Sequence, residues 1–139
     1  MADAPHIMIV ESRYYEEVAE ELIASVLSEL EEFGASYERF EVPGAFEIPT
    51  AIKFAIQSAE LGSIKKSYDG FIALGCVIRG QTSHYDYVCG ESARGLQDLA
   101  LKYSLALGYG ILTVENQEQA LARARRAEQD RGGHAARAC

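Results

Sequence analysis

The sequence predicts an α/β fold, a central and mostly parallel four-stranded sheet with helices on both faces. Three observations carry this prediction. Short apolar runs alternate along the chain with longer segments whose apolar residues recur at helical spacing. One run, Gly70–Ile78 (GFIALGCVI), is apolar on both faces, as a central parallel strand must be. Glycine or Pro-Gly punctuates the joins, at Gly34, Pro43-Gly44 and Gly62.

His6–Val10 (HIMIV) is short, apolar and β-branched, so it reads as a buried first strand. After Glu11-Ser12-Arg13, residues Val18, Leu22, Val26, Leu30 and Phe33 fall on one helical face, and Gly34 ends that helix. Ser36–Val42 alternates through Tyr37, Phe40 and Val42, which predicts a second strand that Pro43-Gly44 breaks. Ile48–Leu61 predicts a helix with Ile52, Ala55, Ile56 and Ala59 on one face and Gly62 as its stop. Gly70–Ile78 is the third strand and Ser83–Tyr103 the third helix. Leu107–Val114 (LGYGILTV) is the fourth strand, and Asn116 caps a helix running through Arg126. The tail RGGHAARAC begins one more helix that stops early.

With 139 residues the chain has room for one domain (1–139) and a real core, but not for two domains. Hydrophobic residues are 48% and charged residues 24%, with only 3 prolines, which places it among globular proteins. The formal net charge of −8 argues against nucleic acid or an anionic membrane as partner, because neutralising phosphates needs a basic face. No apolar stretch approaches the roughly 20 residues of a membrane span, and MADAPHIMIVESRYY carries no leader-type run. Cys76, Cys89 and Cys139 are odd in number and lack C-x-x-C spacing, which speaks against disulfides and zinc and for a reducing cytoplasm.

In a doubly wound sheet, ligands bind beyond the carboxyl ends of the strands. Those ends carry unusual chemistry here. In GCVIRGQTSHYDY (Gly75–Tyr87), an apolar strand stops on Arg79-Gly80 and small hydroxyl residues lead into His84. Ser83 with Asp86 fits a capping box, so a helix should begin at His84. Backbone N–H groups at such a helix start form an anion site, and phosphate is the small anion expected. Gly80 would let that anion approach the backbone closely. His84 in the first turn could then serve as base and acid near neutral pH. The plainer alternative is a capped helix start with a solvated histidine.

VPGAFEIP (Val42–Pro49) brackets Gly-Ala-Phe-Glu between two prolines, a rigid turn that aims Glu47 at the same edge. Glu47 could accept from the hydroxyls of a ligand, or simply be a favourable first-turn acid. Arg13-Tyr14-Tyr15 offers an aromatic to a planar ring, or closes the core edge. Arg123, Arg125, Arg126 and Arg131 form a basic cluster in an acidic chain, read either as a helix end meeting the dipole or as phosphate ligands.

Taken together, Ser12-Arg13-Tyr14, V-P-G-A-F-E-I-P, G-x-V-I-R-G-x-T-x-H-Y-D-Y and G-I-L-T-V-E-N-x-E-Q-A (Gly110–Ala120) resemble the 6,7-dimethyl-8-ribityllumazine synthase family, also called the riboflavin synthase β-chain family. The resemblance runs in family order from about His6 to the last residues. It implies a flavodoxin-like three-layer sandwich and a cofactor-free condensation in riboflavin biosynthesis. In that reaction 5-amino-6-(D-ribitylamino)uracil and 3,4-dihydroxy-2-butanone 4-phosphate give the lumazine, phosphate and water. By position, Tyr14 would stack on the pyrimidine, while Ala45, Phe46 and Glu47 would hold the ring edge and ribityl chain. Val77 and Ile78 would contact the ring, Gly80, Gln81 and Thr82 would cradle phosphate, and His84 would shuttle protons. Cys76 and Cys89 would be packing residues. The small-molecule substrates need no metal.

The family completes its pocket from the neighbouring subunit of a fivefold ring, which in some members doubles or closes into an icosahedral shell. The resemblance therefore implies a homopentamer or a multiple of it, with Tyr109, Arg123 and Arg131 reaching across, and riboflavin synthase as a further partner. Arg131 stands where the family has a lysine, keeping the charge without the point-like geometry. Gln81 stands where an acidic or small residue is commoner, and tyrosines at Tyr14 and Tyr109 keep a stacking face. The final helix, ending at Cys139, is shorter than the family's and reads as truncated.

Three other functions compete. A flavin or nucleotide carrier would need a phosphate loop after the first strand, where VESRYY has no glycine. A receiver domain would need clustered acids there and an aspartate after the third strand. The runner-up is a catalytically weakened, self-assembling relative that acts as a shell or binds lumazine or flavin. Intact His84, Glu47 and Arg123 argue against it.

Overall fold

The computed structural model of the chain describes residues 4–62 and 67–139. The reading of the N-terminal leader over residues 1–3, and the domain span where it crosses 63–66, lie outside the described residues. In chain order the elements are β1 (His6–Ser12), α1 (Glu16–Phe33), β2 (Ser36–Val42), a 3-10 turn (Ala45–Glu47), α2 (Ile48–Glu60), β3 (Gly70–Ile78), α3 (His84–Tyr103), β4 (Leu107–Val114), α4 (Gln117–Ala124) and α5 (Arg131–Ala138). The strands lie in the order β2-β1-β3-β4, and every pairing is parallel. This is the flavodoxin-like sandwich expected, with a sheet that is wholly rather than mostly parallel among the described strands.

Strand alternation divides the core in two. Ile7 and Ile9 of β1 with Ile72 and Leu74 of β3 face Val18, Leu22, Val26 and Leu30 of α1, Ala120 of α4 and Ala135 of α5. Met8 and Val10 with Phe71 and Ala73 face the other way, onto Ile48 and Ile52 of α2 and Val88 and Leu96 of α3. The central strands are thus buried on both sides, which is why Gly70–Ile78 has no polar face. Each fully buried Ile or Leu in these layers contributes about 1.5–3 kcal/mol.

Ser36–Val42 is a strand as expected, and it is an edge strand whose first six residues are all exposed. Two expectations are corrected. Phe33 falls at the last position of α1 and is exposed, beyond the reach of the sheet. The helix after Asn116 ends at Ala124 and not at Arg126. Asn116 does cap it, accepting from the Gln119 N–H at 2.8 Å. Arg125 then turns extended, and Asp130 caps α5 through the Gly133 N–H. The glycines that start α5 have a packing reason: a Cβ at Gly132 would come within 2.5 Å of the Leu22 carbonyl oxygen on α1. First-strand pairing also runs two residues beyond Val10, through Glu11 and Ser12.

The chain turns from β1 toward β2 on one side and toward β3 on the other. The crevice at the carboxyl ends of β1 and β3 is therefore the point where strand order reverses, and it is there that such sheets bind ligands.

Candidate active site

A cleft of about 600 Å³ opens at that point. The β1–α1 connection contributes Ser12, Tyr14 and Tyr15, and the loop after β2 contributes Pro43 through Glu47. From β3 and the loop beyond it come Cys76, Val77, Ile78, Gly80 and Thr82, and α3 adds His84, Tyr85, Tyr87 and Val88. The structure thus brings together nine of the residues singled out in the sequence: Tyr14, Ala45, Phe46, Glu47, Val77, Ile78, Gly80, Thr82 and His84. Gln81 is exposed beside the cleft but does not line it.

Each group is placed by local chemistry. Val42 ends the β2 pairing, and Pro43-Gly44 turns the chain into the 3-10 turn that carries Phe46 and Glu47. The turn closes through the Glu47 N–H to the Gly44 carbonyl, 3.2 Å. A Cβ at Gly44 would lie 3.2 Å from the Glu47 carboxylate, so the glycine leaves that carboxylate room to curl back over the turn. Glu47 occupies the N-cap position of α2 without capping it through its side chain. Pro49 follows in the first helical turn, where its missing N–H costs nothing.

Beyond β3, Arg79 does not aim into the cleft. Its N–H joins the Val114 carbonyl at 2.9 Å, and its guanidinium meets Glu115 at 2.8 Å and Asp86 at 3.6 Å, lying 4.3 Å over the Tyr85 ring. It thereby ties the ends of β3 and β4 to the first turn of α3. The helix begins at His84 as expected, but the capping box does not form. Ser83 sits in the helical region (φ −72°, ψ 0°), not the extended conformation from which a side chain reaches the N–H of the first turn. Thr82 serves instead, its Oγ1 accepting from the His84 N–H at 3.3 Å. Asp86 turns to Arg79. A Cβ at Gly80 would meet nothing, so packing does not demand glycine there. Its effect is open space beside the backbone amides.

Two aromatics flank the mouth, Tyr14 at 74% exposure and Phe46 at 54%. The Tyr14 ring is met edge-on by Tyr15, with centroids 4.9 Å apart at 73°. In the cleft wall, burial and then the neighbouring Cys89 push the Cys76 thiol up to about 12. A thiol so raised is a poor nucleophile, in keeping with a packing role.

Tyr109, Arg123 and Arg131 are not brought to this cleft. Tyr109 projects from β4, Arg123 donates from Nη1 to the Gln119 carbonyl at 3.0 Å, and Arg131 donates to Gln129 at 3.2 Å. Of the basic cluster, Arg125 pairs with Glu128, and Arg126 with Glu29 and Asp130. A second cleft of about 700 Å³ lies at the opposite end of the sheet, between the ends of α1 and α5. Its walls include Leu30, Phe33, Arg137 and Cys139, and it gathers none of the groups singled out for chemistry.

Tyr15, offered with Tyr14 in the sequence, lines the cleft and also packs against the core; Tyr85, Tyr87 and Val88 line it without having been singled out. For the last two the signal was available: they lie three and four residues after His84, on the same helical face.

Comparison with known proteins shows which family this chain resembles. Residues 4–139 match the family described as 6,7-dimethyl-8-ribityllumazine synthase. The chain is 56% identical over 133 residues to 6,7-dimethyl-8-ribityllumazine synthase 1 of Rhizobium meliloti, covering 96% of this chain and 86% of that protein. It is 54% identical over 134 residues to the 6,7-dimethyl-8-ribityllumazine synthase of Agrobacterium fabrum (96% and 89% covered). With the protein of that name from Bartonella tribocorum it shares 49% over 138 residues (99% and 87% covered).

Proposed function

The chain belongs to the 6,7-dimethyl-8-ribityllumazine synthase family, and from that premise we propose how its residues divide the work of the reaction. The protein is a transferase of riboflavin biosynthesis, condensing 5-amino-6-(D-ribitylamino)uracil with 3,4-dihydroxy-2-butanone 4-phosphate. The observation that carries the division of roles is the convergence of the loops after β1, β2 and β3 on one cleft, with His84 at its α3 wall.

In this reading the pyrimidine lies against Tyr14, with Val77 and Ile78 beneath it. Ala45 and Phe46 border the ring edge, and the Glu47 carboxylate accepts hydrogen bonds from the ribityl hydroxyls. The phosphate of the second substrate sits on the amides of Gly80, Gln81 and Thr82, at the positive end of α3. The substrate's own 5-amino group attacks the ketone, so no lysine or thiol is needed to form the imine, and no cofactor takes part. His84, beside the phosphate, carries protons during imine formation and phosphate departure, as base and then acid. Closely placed donors that need not reorganise favour the charge that develops on the leaving group.

The dispersal of Tyr109, Arg123 and Arg131 supports a shared site. A neighbouring subunit supplies those three to the cleft, Arg123 and Arg131 to the phosphate and Tyr109 to the rings, so the active form is a ring of copies, a pentamer or a multiple of it. The cytoplasm is the compartment proposed, and riboflavin synthase the enzyme that receives the product. The runner-up, a weakened shell or flavin-binding relative, has no observation of its own. Mixing the two substrates with the protein tests the activity. Lumazine fluorescence is expected to grow with time and protein concentration, and no fluorescence above the uncatalysed mixture would overturn it.

A further inference from the structure

We propose that Glu11 is a positioning residue for the pyrimidine end of the cleft, acting through Arg13 on Tyr14. The inference rests on the reading of Tyr14 as the stacking aromatic. Glu11 lies near the end of β1 and is 3% exposed. Its two oxygens are taken by different arginines, Oε1 by Arg13 Nη1 at 2.8 Å and Oε2 by Arg39 Nε of β2 at 2.9 Å. Arg13 is itself largely buried and donates forward as well, from Nη2 to Glu16 at 3.1 Å and to Glu20.

The connection from β1 to α1 is only Arg13, Tyr14 and Tyr15. Tyr15 occupies the N-cap position without a capping side chain, so the usual device that fixes a helix entry is missing. The Arg13 fork replaces it, with one nitrogen bonded back to the strand and the other forward to the first two turns of the helix. A planar fork held at both ends fixes its own plane, and so the backbone next to it. Tyr14 is the next residue. It is mostly exposed, and among the described residues the one aromatic ring that meets it is Tyr15, edge-on. Its place over the cleft is therefore set by the loop, and the loop by the Glu11–Arg13 pair. A buried carboxylate between arginines adds little stability over an apolar side chain of equal size, which points to orientation as its contribution.

Glu11→Gln keeps the volume and one acceptor. Arg13 retains Glu16 and Glu20, and the half-exposed Arg39 can turn to water, so the variant should fold. Calorimetric titration with 5-amino-6-(D-ribitylamino)uracil alone reads binding without turnover. Kd for the pyrimidine should rise about fivefold, the scale of a spoiled aromatic contact. KM for the butanone phosphate should stay within about twofold, and in a Tyr14→Ala background the Glu11→Gln effect should vanish, as coupled neighbours require. An unchanged Kd, equal weakening of both substrates, or an effect that simply adds to that of Tyr14→Ala would overturn the proposal. Should Glu11→Gln not fold, Arg13→Lys keeps the charge without the fork and carries the same expectations. A wild type that binds the pyrimidine yet makes no lumazine would refute the function and leave this test readable. A wild type that does not bind it refutes both.

Discussion

Thr82 Oγ1 accepts a hydrogen bond from the His84 N–H at 3.3 Å, so the turn that presents the imidazole is pinned by the threonine and not by the serine between them. Thr82→Val should therefore cost about 0.5–1 kcal/mol in urea unfolding, the scale of a lost cap, and slow turnover by loosening His84. Thr82→Ser should restore both. Ser83→Ala should stay within about 0.5 kcal/mol of wild type. A larger loss for Ser83→Ala than for Thr82→Val would show that the cap lies elsewhere.

Alkaline stability reports on the cleft wall. Burial raises the Cys76 thiol from an ordinary 9.0 to about 12, and Tyr68 is raised to about 12 by burial and its hydrogen bond to Glu38. Above pH 9 the unfolded chain loses the Cys76 proton while the folded chain keeps it, so the unfolded state binds fewer protons. Stability then falls as pH rises from about 9 to about 12, by at most about 1.4 kcal/mol per pH unit for this group, and by less because it is partly open to solvent. Tyr68 adds its share only above its ordinary value of 10.0. Cys76→Ala should therefore flatten the decline between pH 9 and 10 in equilibrium unfolding, while equal slopes would mean that the thiol is not held protonated.

Much of this molecule could be read from its residues because the apolar pattern is clean. Short apolar runs assigned β1 and β3, alternation assigned β2, the four-residue spacing of Val18, Leu22, Val26 and Leu30 assigned α1, and Asn116 marked α4. What failed was what tertiary position decides. Nothing in S-Y-E-R-F-E-V says that β2 lies at the sheet edge with neither face covered. A capping box is a pattern of residue types, whereas the cap depends on the φ and ψ of Ser83. The site was legible where one chain builds it, in Tyr14, Glu47 and His84. Tyr85 was missed because an aromatic in the chain carries no mark of which cavity it will face.

Gly108 tests how α5 is held. A Cβ there would overlap the Ala135 carbonyl oxygen, a backbone atom that no rotamer change can move. Gly108→Ala should push α5 off β4, exposing Ala135 and the Leu22 side of α1, with a loss of about 3 kcal/mol or more. Gly80→Ala should change stability by well under about 1 kcal/mol, because a methyl group there meets open space. Urea unfolding of the two variants checks both. Comparable losses would contradict the placement of α5 against β4.

The separation of His84 from Arg123 makes the strongest prediction. If each cleft draws His84 from one copy and Arg123 from the next, the two residues never need to belong to the same chain. His84→Ala should lower turnover about 100-fold or more while leaving the ring intact. Arg123→Ala should raise KM for the butanone phosphate more than KM for the pyrimidine, since a guanidinium on phosphate acts on one substrate. When the two variants are unfolded together and reassembled, some interfaces pair an intact His84 with an intact Arg123. In a randomly mixed head-to-tail ring that is about a quarter of all interfaces, so about a quarter of wild-type activity should return. The same variants assembled separately and then mixed without exchange should show only their residual rates. Recovery no greater than the sum of those rates would place Arg123 in its own chain's site, or in none.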